Sequence, residues 1–268
     1  MPMIVNHGGI AISTISSSTP NILLLGGTTE ATALAMLLAE ARMTATLSYA
    51  GRTANPRPQP IPVRVGGFGG VDGLVDYVRS HRITHVVDAT HPFAATMSAH
   101  AVEAAARTNV ALAALTRPAW TPGTGDRWTQ VADIAAAVAA LDGPGRRIML
   151  ALGRQHVASF SAQPHHHYIL RFVDAPDHPP PLPLHSLIVD RGPFTVDGDS
   201  TLMQAHRVDL VLCKNAGGPG AAAKLAAARQ LGLPVLMIDR PWLPDRLLFE
   251  ASEDVLRWIG HAGIDRGV

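Results

Sequence analysis

Three short stretches carry side chains able to do chemistry. In THVVDATHPFA (84–94), Asp88, Thr90 and His91 follow an apolar run rich in β-branched residues, and Pro92 restricts the backbone beyond them. An imidazole titrates near neutrality, so His91 could deliver a proton at pH 7 with Asp88 orienting it. Asp88 and Thr90 could equally cap a helix starting near Ala94. In LVLCKNAGGPG (210–220), Lys214 and Asn215 end an apolar strand just before a glycine turn. An ammonium placed there can bind a carboxylate or donate a proton. In NILLLGGTTE (21–30), Gly26 and Gly27 let the chain turn tightly between a strand and a helix opened by Thr28, Thr29 and Glu30. The unpaired N–H groups and positive dipole end of such a helix favour a phosphate, although GGTTE is not the full GxGxxG pattern and could be only a tight turn.

The residues that follow other strands extend this picture. In an open parallel sheet the ligand lies beyond the carboxyl ends of the strands. GGFGG (66–70) would bring Gly67, Phe68 and Gly69 to that edge as a second glycine-rich crossing. SYAGRT (48–53) places Ser48, Arg52 and Thr53 where an NAD-binding unit would carry an acid for the ribose hydroxyl. Arg52 could instead pair with a 2′-phosphate, which favours NADP(H), or it could be a solvated loop arginine. Arg117, Arg154, Arg171, Arg191, Lys214 and Arg240 all fall at or just past strand ends. Either they converge on a cleft for a polyanion, or each pairs with a nearby acid, as Asp190 beside Arg191 and Asp239 beside Arg240 suggest.

The elements that must position these residues are strands alternating with helices. Apolar runs at 21–27, 45–50, 62–65, 84–90 and 111–116 are separated by helical stretches, and a second set follows at 147–153, 166–172, 186–192, 210–218 and 235–241. LTRPAW (115–120) is echoed by IDRPWLP (238–244). This repetition predicts an α/β chain of two Rossmann-like open parallel-sheet domains with the active site in the cleft between them. The expected organisation is a disordered leader over 1–20, a nucleotide-binding domain over 21–120, a connection over 121–145 and a substrate-binding domain over 146–268. Proline-rich DAPDHPPPLPLH (174–185) should be a surface connection or rim loop.

The chain has 268 residues, 47% of them hydrophobic and 16% charged, and a formal net charge of +1. That balance argues against a nucleic-acid partner bound through a basic face. The polar start fits neither a signal peptide nor a membrane span, and the single cysteine, Cys213, fits a reducing cytoplasm. No Tyr-x-x-x-Lys pair and no P-loop is present. His165, His166 and His167 lack the spacing of metal ligands and read as a solvated edge.

GGTTEA (26–31), SYAGRT (48–53), GGFGG (66–70), DATHPFA (88–94), RPAW (117–120), LGRQ (152–155), RGPF (191–194) and KNAGG (214–218) appear in unbroken order over roughly 20–260. In these motifs the chain resembles the precorrin-6A reductases of cobalamin (corrin ring) biosynthesis. The resemblance implies two Rossmann-like domains with cofactor and tetrapyrrole between them. It also implies hydride transfer from NADPH to the macrocycle of precorrin-6A, giving precorrin-6B, with no metal required. The substrate would be a tetrapyrrole bearing acetate and propionate groups. On this reading Gly26, Gly27, Thr28, Thr29, Glu30, Ser48, Arg52, Thr53, Gly67, Phe68, Gly69, Asp88 and Thr90 hold the cofactor. His91, Arg117, Arg154, Arg191, Lys214 and Asn215 meet the substrate, with Lys214 first and His91 second as proton donor. The alternatives are a cobalt-precorrin-6A reductase, which shares these motifs, and a non-catalytic NADP(H)-binding sensor.

Overall fold

Strands of a parallel sheet covered on both faces are apolar throughout, and Ile22 to Leu25 are almost completely buried in this way. The computed structural model describes residues 19–51 and 58–261. The first set of elements is β1 (Asn21–Leu25), α1 (Thr29–Glu40), β2 (Thr44–Tyr49), β3 (Val63–Val65), α2 (Val71–Ser80), β4 (His85–Asp88), α3 (Ala95–Thr108) and β5 (Ala111–Leu115). The second set is β6 (Trp128–Val131), α4 (Ile134–Ala139), β7 (Arg147–Ala151), a 3-10 helix (Arg154–Ala162), β8 (His167–Phe172), β9 (His185–Val189), α5 (Val196–Ala205), β10 (Leu210–Lys214), α6 (Ala223–Gln230) and β11 (Val235–Ile238). Two elements follow, β12 (Leu247–Phe249) and α7 (Ser252–His261). No helix among the described residues is long and apolar enough to cross a membrane.

Two six-stranded sheets result, in the orders β12-β5-β4-β1-β2-β3 and β6-β11-β10-β7-β8-β9. Every pairing in them is parallel. The α/β class and the doubled open parallel sheet therefore stand as expected. In each sheet the chain leaves a central strand, β1 or β7, toward one edge and then returns to fill the other side. That reversal is the switch point at which open α/β sheets bind ligands.

The expected boundaries need correction at both joins. Residues 121–145 are not merely a connection, because β6 pairs with β11 at the outer edge of the second sheet. Residues 247–261 do not belong with the second unit: β12 pairs with β5 in the first sheet, and Val255 and Ile259 of α7 are buried with Ala31, Leu34 and Leu38 of α1. The second sheet is thus built from one continuous run, β6 to β11, while the first takes its outermost strand, β12, from chain lying beyond that run, and the chain crosses between the sheets twice. The two strands were missed because three or four half-exposed residues leave almost no periodic signal. Residues 174–184 form no helix or strand, as their prolines require, although Leu182 is buried in the core of the second unit.

The local ends are chemically specific. Thr28 caps α1, its hydroxyl accepting from the Ala31 N–H at 3.1 Å. The helix α3 stops at Asn109, which adopts the left-handed conformation that asparagine tolerates. Ile259→Ala should cost about 2–5 kcal/mol, the usual range for emptying a fully buried site. Urea unfolding measures the loss, and hydrogen exchange should quicken in β1, β4 and β5 before β7 and β10. The reverse order would contradict the docking of α7 on the first sheet.

Candidate active site

The glycine-rich edge of the first sheet is open. Gly27 has φ +124°, Gly66 +124° and Gly69 +80°, and a Cβ built on any of them would meet nothing within 4 Å. Gly26 donates to Ser48 O at 2.9 Å, joining the ends of β1 and β2, and Thr28 Oγ1 donates to Ala89 O at 2.8 Å across to the end of β4. The turns beside the start of α1 therefore leave room for a ligand's close approach, and these residues fit a bound dinucleotide phosphate. Thr29 follows at the first helical position, its hydroxyl turned to Glu30 at 3.1 Å.

Arg64 was not foreseen at this edge. Its Nη1 donates to Ser48 Oγ at 2.8 Å and Gly66 O at 2.9 Å, its Nη2 to Gly67 O at 3.1 Å, and its guanidinium lies 3.9 Å from the centre of the Phe68 ring. The signal existed in VRVGGFGG, but an arginine alternating with valines reads as the outer face of an edge strand. Arg52 and Thr53 lie outside the described residues.

At the end of β4 the expected Asp88–His91 pairing does not form. Asp88 Oδ1 accepts from Thr90 N at 3.2 Å and Thr90 Oγ1 at 2.6 Å, and its other oxygen lies 3.6 Å from Arg246 Nη2. Nor do Asp88 and Thr90 cap α3, whose cap residue Ala94 receives no side-chain bond. His91 instead accepts from Phe93 N through Nδ1 at 3.2 Å. One side of His91 meets solvent at the cleft lip, but burial of the ring and then the charges of Arg117, Lys214 and Arg240 push its pKa down to about 4. Both effects favour the neutral ring. It can still offer the N–H of Nε2.

Lys214 reaches across from the second sheet. Its Nζ lies 2.7 Å from His156 Nε2 and 4.7 Å from the centre of the Phe93 ring, which belongs to the first unit. His156, in the 3-10 helix after β7, is a second residue that was missed; LGRQH held the signal, two positions beyond the matched LGR. Around this group the chain is tied together. Arg117 Nη1 forks onto both oxygens of Glu30 at 2.9 and 3.1 Å while its Nε donates to Ala216 O at 2.9 Å. Burial alone would raise the Glu30 carboxyl, but a bond from its own backbone N–H and the Arg117 charge more than offset it, so the pKa lies below the ordinary value. Asn215 clamps Trp120, accepting from its N–H at 2.8 Å and donating to its carbonyl at 3.0 Å. Glu30, Arg117 and Asn215 are thus at the cleft, as expected, but are engaged with protein partners.

The six cations do not all converge. Arg240 donates to the carbonyls of Asn215, Arg117 and Ala216. Arg171 is paired with Asp199 at 2.5 Å, and Arg191 with Asp174 at 2.8 Å on the surface. Arg154 is exposed, 6.0 Å from the Phe172 ring. His166 is no solvated edge: it is fully buried, accepting from Arg146 N at 3.0 Å and bonded to Leu141 O at 2.7 Å.

Two parallel open sheets, the first with glycine-lined strand ends and the second with a lysine–histidine pair, define a two-sheet α/β protein. A family model described as precorrin-6x reductase CbiJ/CobK matches residues 21–260, and the chain belongs to that family. It is 55% identical over 248 residues to the precorrin-6A reductase of Rhodobacter capsulatus, covering 92% of this chain and 99% of that protein. It is 45% identical over 254 residues to the precorrin-6A reductase of a Sinorhizobium species, covering 94% and 97%. A solved structure titled CobK precorrin-6A reductase superposes with TM-score 0.86 at 55% identity, covering 93% of this chain and 100% of that one.

The depressed pKa of His91 has a definite sign. Its folded value lies below the ordinary 6.5, so the unfolded chain binds the proton more readily. Stability from this group is complete above about pH 6.5 and declines as the pH falls toward about 4. NMR titration of the His91 ring should give a midpoint near 4, and a midpoint near 6.5 would show that the cations do not crowd it.

Proposed function

We propose that this protein reduces the macrocycle of metal-free precorrin-6A with NADPH, giving precorrin-6B in the corrin pathway to cobalamin. What carries the reading is one juxtaposition: Lys214 and His156 of the second unit meet Phe93 of the first, the unit that bears the open glycine turns, inside a family of reductases. When bound, NADPH supplies the hydride. The chain's own work is to hold two flat ring systems in register and to stabilise charge as it develops. Gly26, Gly27 and the first turn of α1 with Thr28 and Thr29 bind the pyrophosphate. Ser48 and Arg64 flank the adenosine ribose, where the Arg64 edge formed by Nε and Nη2 keeps two donors pointing away from the bonds already made. Arg52 and Thr53 follow Ser48 closely enough in sequence to assist.

Lys214 acts at the reacting end. Its ammonium donates to His156 Nε2, so His156 fixes the head of a flexible side chain. Neutral His91 offers only an N–H hydrogen bond from the opposite lip. Arg154 and Arg191, exposed on the second unit, attract the carboxylate arms of the substrate without contacting the cofactor. We place the reaction in the cytoplasm, where the buried thiol of Cys213, its pKa raised to about 11 by burial, stays protonated and inert.

The direct test mixes the protein with NADPH and metal-free precorrin-6A and follows the macrocycle spectrum. A mass gain of about two hydrogens is expected, from one hydride and one proton. No NADPH oxidation would refute the reading. Lys214→Ala should lower kcat more than it raises KM if the ammonium acts on the transition state. A change confined to KM would make it a carboxylate holder. Arg64→Met should erode the preference for NADPH over NADH by about tenfold, since a charge-assisted phosphate contact is worth roughly 1.5–3 kcal/mol. Arg52→Ala should act in the same direction. Isothermal titration with both nucleotides decides between the two arginines.

A further inference from the structure

A cavity of about 190 Å³ opens in the second unit, away from the glycine edge. The ends of β7 and β8 (Ala151, Leu152, Phe172) and the start of α6 (Ala221, Ala223) contribute its apolar walls. Its polar wall is formed by Arg171, Asp199 and Lys224. These charges are deeply placed: Asp199 is 1% exposed and Lys224 7%. Buried ions are costly unless paired, and the pairing here is incomplete.

Asp199 Oδ1 takes Arg171 Nη1 at 2.5 Å, and the Arg171 guanidinium stacks 3.6 Å from the centre of the Phe194 ring. The other Asp199 oxygen is buried with no hydrogen-bond partner. Lys224 Nζ donates to a backbone carbonyl, Ala221 O, at 2.5 Å and lies 5.0 Å from the centre of the Trp120 ring. No carboxylate touches it. Two buried cations against one buried carboxylate leave one positive charge without a direct counterion, in a recess whose walls are otherwise apolar. Asp190, the remaining acid at the cavity, is exposed at its mouth, where water screens it.

We propose that this cavity is a carboxylate subsite, in which Lys224 and Arg171 take the terminal carboxylate of one alkyl side arm of the substrate while the apolar walls hold its methylenes. Resting on the functional reading above, the proposal assigns one arm of a many-armed anionic ring to a specific recess. The ammonium turns from Ala221 O toward the arm. Burial lowers the Lys224 pKa in the empty cavity, and an arriving carboxylate opposes that shift. Arg154, within 6.0 Å of the Phe172 ring, stands near the entrance.

The test uses uroporphyrin, a tetrapyrrole with eight carboxylate arms, titrated into the intact protein and followed by its absorbance. Lys224→Met keeps the length and apolar stem of the side chain and removes the charge. Ala221→Leu fills the cavity without altering charge. Each should raise the uroporphyrin Kd about tenfold while NADPH affinity stays within about twofold, and Lys224→Arg should restore most of the binding. The octamethyl ester of uroporphyrin should bind weakly to every form. The proposal is overturned if Lys224→Met binds uroporphyrin as the unmodified protein does, if the ester binds equally well, or if the unmodified protein does not bind uroporphyrin. Absence of precorrin-6A reduction would defeat the functional reading alone, because uroporphyrin binding judges the cavity without turnover.

Discussion

Two arginines, Arg117 and Arg240, bond backbone carbonyls where the chain twice passes between its sheets, and the cleft depends on that knot. The first passage follows β5 and the second follows β11. Arg240 Nη2 donates to Arg117 O from one passage to the other, and both arginines donate to Ala216 O beyond the end of β10. Gly217 sits against this crossing with φ +73°, where a Cβ would come within 2.1 Å of Pro118 O. No other residue could let the two backbones approach so closely. Asn215 completes the clamp by holding both backbone groups of Trp120.

The return of the chain to the first sheet explains why this knot matters. With β12 paired in the first sheet, the second unit, β6 to β11, is a continuous insertion tied to the first at both ends. Relative movement of the sheets must strain both crossings at once. Phe93 of the first unit meets Lys214 of the second across the cleft. Rigid crossings beneath an open cleft suit a reaction that depends on the registry of two ring systems.

The cations sort into two kinds by what already neutralises them. Arg117, Arg171 and Arg240 bond within the protein and hold it in shape, whereas Arg154 stands exposed and Lys214 lies 2.7 Å from His156 Nε2. His91 shows the consequence: burial first, and then the charges of Arg117, Lys214 and Arg240, disfavour the protonated ring. The positive field that repels a proton from His91 is the same field that would draw a polycarboxylate into the cleft.

The sequence by itself determined the alternation of strands and helices, the glycine turns and the order of the family motifs. These are local: Ile22–Leu25 need only apolar runs, Gly27 only its φ, and α1 only Thr28 before an Ala- and Leu-rich stretch. The echo of RPAW in DRPW was visible too, but not that both copies mark crossings between sheets. Tertiary structure alone decided which sheet received β6 and β12, because three or four residues carry no periodicity and their partners lie more than 100 residues away. It alone decided that Asp88 would face Thr90 and Arg246 instead of His91, and that Arg64 and His156 would enter the site. Spacing along a chain says which end of a strand a side chain occupies. Which partner meets it there, and so what charge it carries, follows from contacts between segments far apart in sequence.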